Sequence, residues 1–72
     1  MKTDWEQEAV NLLKAELARR GLTYEDLRVA LLELGIEKTT RNLTKTISQG
    51  KFSFVFFLQC AKAIGLEKIQ LK

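Results

Sequence analysis

A chain of 72 residues is one small domain that buries little more than about 60% of its unfolded surface, so its core is marginal on its own. Its formal net charge of +3 is unevenly spread: residues 1–37 carry five basic and eight acidic side chains and residues 38–72 seven basic and one acidic, about −3 against +6, so the positive field gathers in the second half. The lack of histidine and the single cysteine exclude a Cys/His zinc site and an internal disulfide, and the longest apolar run, Phe54 to Leu58, is far short of the ~20 residues of a membrane span.

The N-terminal MKTDWEQE has no apolar core of the kind a signal peptide carries, and the expectation is an ordered cytoplasmic domain over residues 1–72 with no membrane partner. Cys60 sits among apolar neighbours with no histidine to act as its base, which predicts a buried inert thiol rather than a nucleophile. Asp4, Glu6, Glu8, Glu16, Glu25, Asp26, Glu33, Glu37 and Glu67 fall where solvated helix faces carry acids, and none forms an acid/base pair. The chain is therefore expected to be no enzyme, with no catalytic residue, metal or cofactor.

From Asp4 to Arg20 there is no glycine, and Trp5, Ala9, Leu12, Leu13 and Leu17 form one stripe of a helix over residues 4–20. Gly21 stops it, and Arg19 and Arg20 suit that end of the dipole. Trp5 is either an interface aromatic or, more plainly, a cover for the edge of the core. Thr23 opens a second helix over 24–34 as an N-cap, with an acid three residues on and Leu22 placed to staple onto Leu27. Its stripe is Leu27, Ala30, Leu31 and Leu34, and Tyr24 is expected to lie over the helix end with its oxygen in water.

Lys38-Thr39-Thr40 opens a third helix over 39–49, closed by Gly50, in which only Leu43 and Ile47 are large and apolar. At 100° per residue those two point inward, Arg41, Lys45, Ser48 and Gln49 point outward, and Asn42 stands at the edge of that face. Ser53 caps a fourth helix over 53–64, ended by Gly65, with Phe54, Phe57, Leu58, Ala61 and Ile64 as its inward stripe. Residues 66–72 read as a short extended or irregular ending. The fold class is all-α, a single small domain of four to five helices.

Two helices joined by the Gly35–Lys38 connection, the second polar outward and held by a few apolar anchors, form the pattern of a helix-turn-helix. LLKAELARRGLTYEDL, GIEKTTRNLTKTISQGKFS and FLQCAKAIGL together resemble the lambda-repressor-like domains, over about residues 10–68. More closely, ELARRGLTYEDL with ISQGKFSFVFFLQCAKAIG is similar to a small bacterial domain family without an assigned function. The chain departs from the repressor-like pattern at Tyr24, where glutamine is common, in its longer second helix, and in the four-residue spacing of Leu43 and Ile47. The outward positions are accordingly taken from the helical wheel.

Arg41 and Lys45 share one helix face, and Gln49 extends the row by a turn. Arginine and lysine suit guanine O6/N7, and Asn42 and Gln49 suit adenine N6/N7, in a major groove. Lys38, Thr39, Thr40, Thr44, Ser48 and Lys51 suit phosphates. The leading expectation is a sequence-specific module for double-stranded DNA, a small transcriptional regulator or antitoxin-like protein; the competing one is a protein-interaction domain on a helix-turn-helix scaffold. A homodimer is expected through Val55, Phe56, Cys60 and Ala63, apolar positions opposite the inward stripe of helix four. The alternative is that the first helix, or Ile69 and Leu71, covers that face within one chain.

Overall fold

The computed structural model describes residues 2–69 and 71, and among them are four helices and no strand: α1 (Asp4–Arg19), α2 (Tyr24–Glu33), α3 (Thr40–Gln49) and α4 (Phe54–Ile64). Each helix starts where a hydroxyl side chain turns back on the backbone. Thr3, Thr23, Thr39 and Ser53 accept hydrogen bonds of 3.1, 3.1, 3.0 and 3.0 Å from the amides of Glu6, Asp26, Asn42 and Phe56. At Thr3 and Thr23 the bond is reciprocal, the cap amide donating to Glu6 Oε1 at 2.7 Å and to Asp26 Oδ2 at 2.8 Å. Losing such a cap typically costs about 1 kcal/mol of helix stability.

Three helices end alike. The amides of Leu22, Ile36 and Leu66 reach back to the carbonyls of Leu17, Leu31 and Ala61 at 2.9, 3.0 and 2.8 Å. The same three apolar side chains fold onto the core, so each chain reversal also closes a hydrophobic contact.

The core is built from Leu13 and Leu17 of α1, Leu27 and Leu31 of α2, Leu43 and Ile47 of α3, and Phe56, Phe57, Cys60 and Ala61 of α4. α2 lies centrally, against both α3 and α4, while α1 packs on α3. Burying each of the leucines stabilises the fold by about 1.5–3 kcal/mol relative to exposure. The end of α3 meets the start of α1 at Gly50, whose φ is +69°. A Cβ there would run into the Glu6 backbone carbonyl, so glycine answers both the left-handed turn and the close approach.

The helix boundaries match the expected spans to within one residue, but three faces differ from those expected. In α4 the buried set is Phe56, Phe57, Cys60 and Ala61, while Phe54 is 69% exposed and Leu58 is also exposed. The inward direction is thus turned by about 60° from the expected stripe, taking 100° per residue. Phe54 to Leu58 is apolar at every position, so hydrophobicity does not choose a face. Packing against α2 sets the face, and Phe52, outside the helix and partly buried, lies tilted against Phe56 with ring centroids 5.7 Å apart.

In α1 the buried residues are Val10, Leu13, Glu16 and Leu17, and Trp5 is 84% exposed instead of covering the core edge. The first turn of α1 meets Gly50 through Glu6 and leaves Trp5 in solvent. Glu16, expected on a solvated face, is 2% exposed and neutralised by its own helix. Arg20 Nη1 donates to its Oε1 at 2.5 Å and Arg19 Nη1 to its Oε2 at 2.8 Å. Those bonds, Arg20 first, hold its carboxyl below the ordinary range against the opposing effect of desolvation. In α2, Leu34 lies at the exposed helix end, not in the stripe. The hydroxyl of Tyr24, expected in water, is buried without a hydrogen-bond partner, and burial raises its pKa. Residues 66–69 and 71 are irregular, as expected; Gln70 and Lys72 of that ending lie outside the described residues.

Candidate nucleic-acid interface

With Leu43 and Ile47 buried, the 100° step leaves α3 only polar side chains to show to solvent. Arg41, Asn42, Lys45 and Gln49 are all exposed and border one open groove together with Thr39 and Thr46. α3 contains no acid, and both of its charges, Arg41 and Lys45, belong to this face. Lys38 joins Thr39 and Asn42 in an adjoining depression at the start of the helix, where Arg28 of α2 adds a second cation and Glu37 an acid.

The hydroxyl groups expected at phosphates are mostly engaged. Thr39 Oγ1 caps α3, and Thr44 Oγ1 donates to the Thr40 carbonyl at 2.9 Å. Thr40 Oγ1 donates to Glu25 Oε1 at 2.6 Å, which ties the first residue of α3 to the first turn of α2. Ser48 is half-buried outside the groove. Lys51 leans toward α1, its Nζ 3.7 Å from Glu6 Oε2, in an exposed pair worth little in water. The expected set thus divides into a contiguous row, Thr39, Arg41, Asn42, Lys45 and Gln49 with Lys38 beside it, and four residues directed elsewhere, Thr40, Thr44, Ser48 and Lys51.

Sequence reasoning missed the junction between Glu25, Arg28 and Thr40. Arg28 Nε and Nη2 donate to the two oxygens of Glu25 at 2.9 and 2.5 Å. The Arg28 bond first, then that from Thr40, brings the Glu25 carboxyl down to about 2. The acid bonded to the first residue of α3 is therefore an ionised group already matched by a guanidinium, and it fixes one helix against the other. Its signal was the three-residue spacing of Glu25 and Arg28 on one helix face; nothing local marks Thr40 as the third member.

Two of the four residues expected at a dimer contact are core residues. Phe56 is 8% exposed and Cys60 fully buried, and Ala63 is half-buried; only Val55 is open to solvent. Burial pushes the Cys60 thiol up to about 11, which makes it a poor nucleophile. Among the described residues no group of three or more acidic or cysteine side chains is placed to hold a metal, and no helix is long and apolar enough to cross a membrane.

The molecule is thus a small all-helical domain with one basic, amide-bearing helix face. A family model described as Domain of unknown function (DUF6471) matches residues 5–69, and the chain belongs to that family. No curated protein and no solved structure matches it.

Proposed function

We propose that the protein binds double-stranded DNA, with α2 and α3 acting as a helix-turn-helix and α3 entering the major groove, in the manner of a small cytoplasmic transcriptional regulator or an antitoxin. The observation that carries this reading is the exposed row Arg41, Lys45 and Gln49 with Asn42 beside it, on a helix with no acid and only two buried anchors. Arg41 and Lys45 are the residues for guanine edges, Asn42 and Gln49 for adenine. Lys38 and Arg28, at the start of α3, supply phosphate contacts that set the register. The bond from Thr40 to Glu25 supports the reading by holding α3 at a defined angle to α2, as presentation of one helix to a groove requires.

Fluorescence anisotropy against a random duplex, and against duplexes selected from a random pool, tests it. With two cations, Lys38 and Arg28, at phosphates, affinity falls roughly tenfold between 50 and 200 mM salt. Lys45→Glu weakens binding far more than Lys14→Ala, since Lys14 is on α1, away from the groove. Binding indifferent to salt and to Lys45→Glu rejects the mechanism. No binding to any duplex, selected ones included, leaves the interaction-domain reading in its place.

A further inference from the structure

We infer that the apolar face shared by α1, α4 and the C-terminal residues is a self-association surface, on which a second copy of this chain docks by inserting Trp5. Of the four residues expected at a contact on α4, this surface includes Val55 alone, and it forms whether or not the protein binds DNA.

The face has a projecting part and a receiving part. Trp5 projects from the first turn of α1, 84% exposed. Beside it runs an apolar groove of about 380 Å³ with Leu12 of α1, Phe54 and Phe57 of α4, and Ile69 and Leu71 in its walls. The hollow under Trp5 shares Ala9, Leu12 and Leu71 with that groove, so the two are continuous. Val55 and Leu58 extend the exposed surface along α4 from Phe54.

Trp5, Phe54, Val55, Leu58, Ile69 and Leu71 together expose on the order of 700 Å², allowing up to about 250 Å² for the largest ring. That exceeds the ~300–600 Å² of the largest apolar patch on an ordinary monomer. It approaches the ~800 Å² that each partner contributes to a stable interface.

A knob and a groove side by side on one face satisfy the requirement of a two-fold contact, in which each Trp5 fills the other copy's groove at the same time. Charge agrees with that pairing. Around Trp5 the exposed side of α1 carries Asp4 and Glu8, with Lys14 and Arg19 toward its other end, whereas Lys62, the one charge of α4, continues the exposed row of Phe54 and Leu58. Laying the first turns of α1 of one copy beside the end of α4 of the other sets unlike charges at the rim.

Light scattering on the full chain, combined with the fluorescence of its only tryptophan, tests this inference. At tens of micromolar the mass is expected at twice 8.3 kDa, and Trp5 emission shifts to shorter wavelength as concentration rises. Trp5→Ala and Phe54→Asp each raise the dissociation constant roughly tenfold or more while leaving helical circular dichroism unchanged, since neither side chain belongs to the core. Lys45→Glu leaves the dimer intact, so failure of DNA binding and failure of self-association are read separately. A monomer at these concentrations overturns the inference, including the case in which a different protein occupies the face. So does a dimer whose mass and Trp5 emission ignore both substitutions.

Discussion

α3 and α4 are nearly the same length, ten and eleven residues, yet they meet water in opposite ways. α3 buries Leu43 and Ile47 and is polar over the rest of its surface; α4 buries four residues and still exposes Phe54, Val55 and Leu58. A narrow apolar seam in a polar helix admits one inward orientation and leaves a solvated, cationic face free for an anionic partner. A helix apolar all round admits several orientations, and the face it does not bury stays costly in water until another apolar surface covers it. The two helices therefore offer two kinds of surface, one suited to charge and hydrogen bonding, the other to burial.

The sharpest way to break this comparison is within α4. Phe56→Ala removes a core ring and is expected to destabilise by about 3–5 kcal/mol in urea unfolding, a large part of a small domain's total stability. Phe54→Ala, two residues away but exposed, changes the stability of dilute protein by less than about 1 kcal/mol. A larger cost at Phe54 than at Phe56 would mean that α4 is turned toward the stripe expected from its sequence.

The junction that ends α3 supplies the next largest effect. Gly50→Ala meets both a left-handed backbone and the Glu6 carbonyl, whereas a Cβ at Gly35 enters open space. Gly35→Ala therefore costs about 1–2 kcal/mol from backbone conformation alone, and Gly50→Ala costs more because α1 must shift as well. Melting temperatures of the two variants rank them, and a Gly50→Ala protein as stable as Gly35→Ala would show that α1 does not press on the end of α3.

A smaller effect is expected on the polar face. Lys45→Glu alters folding stability by no more than about 0.5 kcal/mol, because the side chain is exposed and makes no ion pair among the described residues. Unfolding midpoints test this, and a large loss would give α3's outer row a structural role instead of a binding one.

The subtlest effect is in acid. Glu25 titrates at about 2 in the fold against an ordinary 4.5, so its ionised form favours the native state above pH 4.5, and that contribution fades as pH falls from 4.5 toward 2. Glu25→Gln is expected to flatten stability against pH in this window alone. If its profile parallels that of the unsubstituted protein down to pH 2, the link among Arg28, Glu25 and Thr40 does not hold in solution.

What the chain determines by itself is local in origin. Thr23 and Ser53 cap helices through their own hydroxyls, the glycines after α1, α2 and α4 close them by backbone bonds within six residues, and Leu43 and Ile47 are the only large apolar side chains of α3. Helix positions and the outward row Arg41, Lys45 and Gln49 follow from those few residues, because capping, chain reversal and a lone seam act over one or two turns. The rotation of α4, the exposure of Trp5 and the bond from Thr40 to Glu25 were decided only by tertiary packing. The rotation of α4 depends on α2 packing against it, and the Thr40 bond on α2 meeting α3. An apolar run such as Phe54 to Leu58 fits a core on any of its sides, so the packing of the other helices chooses among them.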